Sequence, residues 1–301
     1  MPDALPSTDA LTTVRDWIRF VNTRLANSEL SYGHGTDEPW DEAVALVAGT
    51  LRLPPDRIEP MLDARVLHEE GVDLADRLRR RIDERVPVPY LVGRAWLAGI
   101  EFEVDERVIV PRSPIAGLLD EGLDPWLGAR EPQRILDLCT GSGCLGLLAA
   151  LAFPEAEVLL SDVSADALAV AEANVVRLGL SERVSCVLSD GLAAVPTEPW
   201  DLVICNPPYV DAQDLASMPA EFHAEPALAL DGGEDGMDLV ARWLPGIGEL
   251  LADDGLLVLE VGNSAPALLA RFPALTLTWP ELPTGGTGVA LVTQAALAEL
   301  A

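Results

Sequence analysis

The 301-residue chain contains no lysine; its 20 basic residues are all arginine, set against 49 acidic residues for a net charge of −29. The missing lysine speaks of coding bias in the source rather than of chemistry. The shortage of cations argues against nucleic acid as a direct partner, since phosphate binding needs clustered Lys and Arg. Residues 1–110 carry 21 acidic residues against 13 Arg (net −8), and residues 111–301 carry 28 against 7 (net −21). Such a surface favours solubility and basic partners. Long apolar runs are also missing: nothing approaches the roughly 18 residues of a membrane span. Met1 to Leu11 lacks a basic start followed by an apolar block. A cytoplasmic protein with no membrane partner is therefore expected. Cysteine is scarce, and Cys139, Cys144, Cys186 and Cys205 show neither C-x-x-C spacing nor a histidine neighbour. That leaves no basis for a metal or a disulfide, and small apolar residues in or beside strands are expected. Internal repeats and low-complexity tracts are absent too, and the oligomeric state is left open.

What the chain does have is 49% apolar content, enough for a sizeable core and two domains. Leu11, Val14, Ile18, Val21 and Leu25 recur at three- and four-residue steps, which predicts a helix over Thr8 to Asn27. Further helices are expected at Trp40 to Leu51, Ile58 to Leu67 and Leu74 to Val86. The Arg79-Arg80-Arg81 run reads as a solvated, paired face, and the loop residue His34 as structural. Pro87-Val88-Pro89-Tyr90 is expected to stop the helices. The runs Trp96 to Val104 and Val108 to Val110 then suggest a hairpin turning at Asp105-Glu106-Arg107, with Arg112 at its exit facing water or a carboxylate. From Pro114 onward strands and helices alternate, ending in strands at Thr276 to Trp279 and Val289 to Thr293. This is the pattern of a doubly wound parallel α/β sheet, which binds ligands beyond the carboxyl ends of its strands.

Two stretches fall at that edge. Asn206-Pro207-Pro208-Tyr209 follows the apolar run Leu202 to Cys205. Two prolines remove two backbone donors and stiffen the turn, so its carbonyls and the Asn206 amide oxygen form a cluster of acceptors suited to gripping both hydrogens of an NH2 group. Tyr209 adds an apolar wall with a polar tip. A planar amide or aryl amine delocalises its lone pair, and gripping both N–H bonds aims that pair out of the plane toward an electrophile.

The second stretch, Asp137 to Gly146, reads as strand, tight loop and helix start. Gly141, Gly143 and Gly146 spell G-x-G-x-x-G, and Asp162 ends the next strand, where it can bind a ribose hydroxyl. A dinucleotide fits that pattern. Asp137, the Asp190-Gly191 pair and the N-P-P-Y stretch shift the balance to S-adenosylmethionine, because carboxylates suit a sulfonium and an ammonium and repel a pyrophosphate.

With these residues in view, the chain resembles the HemK-type protein-(glutamine) methyltransferases, with Thr140-Gly141-Ser142-Gly143 as cofactor loop and Asn206 to Tyr209 as the catalytic N-P-P-Y. It is most similar to the branch that modifies large-subunit ribosomal protein three, through Tyr32 to Asp37 with Trp40 to Val44, Val104 to Val108 with Pro111 to Pro114, Asp137 to Cys144, and Glu260 to Asn263. The resemblance implies a class I, Rossmann-like catalytic domain with a seven-stranded sheet (113–301), a helical substrate-recognition domain (1–86) and a β-hairpin linker between them (87–112). It implies methyl transfer from S-adenosylmethionine, leaving S-adenosylhomocysteine, to a glutamine amide of a ribosomal protein. Catalytic roles fall to Asn206, Pro207, Pro208 and Tyr209. Cofactor contacts fall to Asp137 (the ammonium), Thr140, Gly141, Ser142, Gly143, Asp162 (the ribose), Asp190 and Asn206. A departure stands at Gly191-Leu192, where relatives often carry a bulkier residue beside the adenine. A DNA adenine amino-methyltransferase, a non-catalytic cofactor-binding protein and a nicotinamide-dependent dehydrogenase are the alternatives.

Overall fold

The computed structural model describes residues 10–54, 57–128 and 130–300. They form two compact units, one of Met1–Ala95, Val104–Glu106 and Pro219–Ala224, the other of Trp96–Glu103, Arg107–Met218 and Glu225–Ala301.

The first unit is helical. Helix α1 (Val14–Ala26) starts at a reciprocal cap: the Thr13 hydroxyl accepts from the Asp16 amide while the Asp16 carboxylate accepts from the Thr13 amide, which satisfies two otherwise orphaned donors. Its apolar face buries Val14, Trp17, Ile18, Val21 and Leu25 against Leu46 and Val47 of α2 (Pro39–Thr50) and Leu74 and Leu78 of α3 (His68–Asp83). The helix expected at Ile58 to Leu67 is only a 3-10 turn at Glu59–Met61. Pro60 lacks a donor there, and the carbonyls of Leu62 and Ala64 accept instead from the amides of Arg15 and Val14. Helix α3 starts earlier than its apolar spacing suggests, because Glu69 and Glu70 favour a first turn. The expected stop at Pro87 to Tyr90 is also corrected: α4 (Val88–Val92) begins there, with Pro89 in the first turn, where its missing N–H has no intrahelical role. The arginine run divides. Arg79 and Arg80 pair with Asp76 and Glu84 at the surface, whereas Arg81 is buried between the carboxylates of Glu42 and Glu221.

The hairpin also differs from expectation. Its strands are β1 (Arg94–Leu97) and β2 (Ile100–Glu103), and it turns at Ala98-Gly99, where φ is +48° and +74°, the left-handed pair that a tight two-residue hairpin requires. Val108 to Val110 forms no strand.

The second unit is built on a six-stranded sheet: β3 (Arg134–Leu138), β4 (Glu157–Asp162), β5 (Val184–Leu188), β6 (Trp200–Cys205), β7 (Leu251–Glu260) and β8 (Val289–Thr293), in spatial order β5-β4-β3-β6-β7-β8. All neighbours are parallel except β7 and β8. The expected seventh strand, Thr276 to Trp279, makes a single bridge, Thr278 to Leu291; Pro273 and Pro280 bracket it and withhold donors on both sides. Helices α5 (Ile115–Asp120), α6 (Cys144–Ala152) and α7 (Ala165–Arg177) precede or connect the first strands. The short α8 (Ala212–Ser217) follows β6, then come α9 (Asp238–Leu250), α10 (Ala265–Arg271) and α11 (Gln294–Ala298). On one face Leu136, Val203, Leu257 and Ala290 pack against Val240, Leu244 and Ile247 of α9 and Leu297 of α11. The near-continuous apolar strands follow from coverage on both faces.

The chain runs outward from β3 to β5 and then returns to the far side of β3 as β6. Strand order reverses between β3 and β6, where Leu138 is in register with Cys205. The glycine turn and Asn206 therefore leave the sheet side by side, at the position where open α/β sheets bind their ligands.

Candidate active site

The glycine turn is set by Asp137. Its Oδ2 accepts from the Thr140 hydroxyl at 2.5 Å and from the Gly146 amide at 2.8 Å, so the carboxylate ties the end of β3 to the first turn of α6. Gly146 permits this approach, since a Cβ there would overlap Leu160 and stand 2.9 Å from Asp137 Oδ2. Asp137 is 1% exposed, and burial raises its carboxyl to about 7, with the Thr140 and Gly146 bonds opposing that rise. The folded state thus holds a proton that the unfolded chain has lost. This contribution to stability is full at pH values below the ordinary carboxyl range, declines as pH climbs toward 7 and is constant above it. Asp137→Asn keeps an acceptor for both donors and removes the buried charge. It should melt like the parent near pH 4 and be the more stable of the two at pH 8, by an amount on the order of a few kcal/mol. Melting scans at the two pH values check this, and a variant less stable at pH 8 would contradict it.

Asp162 ends β4 beside that turn. Its Oδ2 accepts from Gly141 N and its Oδ1 from Ser164 N, both at 2.9 Å, while Ser164 caps α7 through the Ala167 amide. One carboxylate thus joins the glycine turn to the next helix. Gly141, Asp162, Asp190, Asn206 and Pro208 line one cavity of about 250 Å³, together with Ser161, Leu239, Arg242 and Trp243. Asp137, Thr140, Ser142, Gly143, Pro207 and Tyr209 are not among its lining residues. Thr140 and Ser142 are buried, and the Ser142 carbonyl accepts from Asn174 Nδ2 at 3.0 Å, so these residues shape the turn from behind.

Two residues of the site, Trp243 and Arg242, have no local signal in the sequence. Trp243, from α9, lies against Gly191, where any Cβ would overlap its indole nitrogen; it occupies the space that a bulkier residue at 191 would fill. Arg242 pairs with Asp190 at 3.4 Å and lies over the Trp243 ring, 5.3 Å from its centroid. Arg112, expected to face water or a ligand, instead grips Glu225 through two bonds of 2.6 and 2.7 Å, and Glu225 also accepts from the Val110 amide. Tyr209 donates its hydroxyl to Glu260 Oε1 at 2.9 Å; burial and that carboxylate push the phenol well above its usual range. Cys144 is buried, its thiol pushed up to about 12 by burial. Among the described residues no group of three or more His, Cys, Asp or Glu side chains could hold a metal, and no helix is long and apolar enough to cross a membrane. His34 is buried in the first unit, 4.3 Å from the Phe222 ring.

A Rossmann-like sheet with a glycine turn after β3, a carboxylate closing β4 and N-P-P-Y closing β6 defines a class I methyltransferase. Residues 120–237 match the methyltransferase small domain. The ribosomal protein uL3 glutamine methyltransferase of Bordetella pertussis is 50% identical over 94% of this chain and 96% of its own. Its namesake in Burkholderia pseudomallei is 47% identical over 93% and 94%, and that of Francisella tularensis 42% identical over 94% and 90%. The chain belongs to the ribosomal protein uL3 glutamine methyltransferase family.

Proposed function

We propose that this protein transfers a methyl group from S-adenosylmethionine to the side-chain amide nitrogen of a glutamine in the large-subunit ribosomal protein uL3. One observation carries the reading: Asn206 and Pro208 line the same cavity as Gly141, Asp162 and Asp190, so a group on the nucleoside side and an amide on the N-P-P-Y side would meet there. The lining suits the cofactor. Its carboxylates, Asp162 and Asp190, match a ribose diol and a cationic ligand, and Ser161 Oγ is buried in the wall without a partner, as a polar ligand atom would require.

When bound, S-adenosylmethionine supplies a methyl group on a positively charged sulfur. The chain's own part is alignment. Asn206 Oδ1 and the Pro207 carbonyl accept the two N–H bonds of the glutamine amide and turn its lone pair out of plane, while Tyr209 walls the acyl portion. Positioning of this kind accounts for about 7 to 11 kcal/mol in favourable intramolecular systems. No strong base is needed, because the nitrogen becomes acidic once methylated and loses its proton to water. Asp162 takes the ribose, Asp137 holds the glycine turn in shape from behind through Thr140 and Gly146, and the glycines of the turn let the backbone approach the methionyl part.

Recognition of the protein substrate falls to the N-terminal helical region in this reading. Ribosomal proteins are generally basic and this chain carries −29, so encounter is electrostatically steered. Raising salt from 0.05 to 0.5 M, roughly a threefold shortening of the screening length, should lower kcat/KM for the protein substrate severalfold or more and leave S-adenosylhomocysteine affinity nearly unchanged. A salt-independent kcat/KM would remove steering from the account. The reading as a whole is tested by mass analysis of ribosomal proteins from a deletion strain, which should show one large-subunit protein lighter by a methyl group.

A further inference from the structure

Glu260 closes β7, and its carboxylate is 4% exposed. Both oxygens are engaged. Oε1 accepts from Tyr209 Oη at 2.9 Å, and Oε2 accepts from the buried Ser113 hydroxyl. Ser113 Oγ meanwhile accepts from the Ile115 amide at 3.2 Å, which directs its single proton toward Glu260. The ring between these groups is confined as well. A Cβ on Gly262 would stand 2.5 Å from Tyr209 Cε2 and 2.9 Å from Cζ, and Gly262 has φ of +47°. Behind the ring, Ser264 Oγ donates to the Tyr209 carbonyl at 2.7 Å. Side chain and main chain of the last N-P-P-Y residue are thus both held by the end of β7 and the turn after it.

A buried carboxylate is costly unless hydrogen-bonded. A purely structural site would be served as well by an apolar residue, so a carboxylate whose donors are a tyrosine and a serine points to orientation as its task. We propose that Glu260 is a positioning residue for methyl transfer, which locks the Tyr209 ring, through its hydroxyl, in the pose that the substrate amide packs against, with Ser113 fixing the carboxylate in turn. This rests on the proposed reading of N-P-P-Y as the site of transfer. The consequence is a seat for the substrate that is finished before the substrate arrives, so its loss appears in kcat and not in the cofactor site.

The experiment is a double-mutant cycle on the full-length protein with uL3 as substrate. Glu260→Ala and Tyr209→Phe should each lower kcat by about 10- to 100-fold, the range for losing a hydrogen bond to a charged group, with S-adenosylhomocysteine affinity within twofold of the parent. The double variant should fall no further than the worse single, because both remove one contact. Glu260→Gln retains a carbonyl acceptor for the tyrosine and an NH2 that Ser113 can accept; it should recover kcat to within severalfold, and it guards against a Glu260→Ala that fails to fold. Additive losses in the cycle, a Glu260→Ala with parental kcat, or a folded Glu260→Gln as slow as Glu260→Ala would each overturn the proposal. Asn206→Ala run alongside separates the two levels. If it retains parental kcat, the reading of the site has failed; if it loses kcat while the Glu260 and Tyr209 variants do not, only the positioning role has failed.

Discussion

Asn206→Ala should cut kcat by about a hundred- to a thousandfold, roughly 2.7 to 4 kcal/mol, the loss typical of one preorganised polar contact to a transition state. The reason lies in where the sheet delivers the side chain. Leu138 and Cys205 are in register on adjacent parallel strands, so Asn206 leaves the sheet beside the glycine turn and lines the same cavity as Gly141 and Asp162. Pro207 and Pro208 have no amide hydrogens, so the turn has little with which to compete for the acceptors that face the substrate. An amide nitrogen is weakly nucleophilic until its lone pair is freed from conjugation, and Asn206 holds one of the two bonds that do this. Cofactor affinity, measured by calorimetry with S-adenosylhomocysteine, should change little by comparison. Lost cofactor binding with unchanged turnover per bound cofactor would move Asn206 out of the catalytic role.

Asp162→Ala should act in the opposite way, weakening S-adenosylhomocysteine binding by about 10- to 100-fold, since charge-assisted hydrogen bonds contribute about 1.5 to 3 kcal/mol. Geometry sets that direction. The carboxylate already accepts from Gly141 N and Ser164 N, one bond per oxygen, and each oxygen keeps a lone pair for a hydroxyl of the ribose. Removing it therefore withdraws the ligand's acceptor and also frees the glycine turn from the start of α7. At saturating cofactor the methylation rate should largely recover, because the N-P-P-Y turn is built on different strands. An unchanged dissociation constant would refute the ribose assignment, and an unrecovered rate would place Asp162 closer to the chemistry than this account does.

These residues also show what kind of information a sequence carries. Gly141, Asp162 and Asn206 follow strands whose apolar runs are continuous, so their place at the carboxyl edge could be read from period and order alone. The shared face of α1 was equally legible, since Val14, Ile18, Val21 and Leu25 repeat at helical spacing. Structure departs from local pattern where a non-local partner decides. Leu62 and Ala64 accept bonds from the start of α1 rather than from a helix of their own. The hairpin turns at Ala98-Gly99, where left-handed geometry outweighs the polarity of Asp105 to Arg107. Arg112 is claimed by Glu225, more than a hundred positions away, and Tyr209 by Glu260. The departure at Gly191 is matched by Trp243, which comes from a helix with no local link to it. Pairings of this kind have no periodicity, and only the folded topology brings them together.

The most direct measurement is intact and peptide mass analysis of recombinant uL3 after incubation with the purified protein and S-adenosylmethionine. The account predicts one added methyl group, located by fragmentation on the side-chain amide of a single glutamine and absent when Asn206→Ala replaces the parent enzyme for the same time. Unmodified uL3 in the presence of bound cofactor, or a methyl group on any residue other than glutamine, would contradict it.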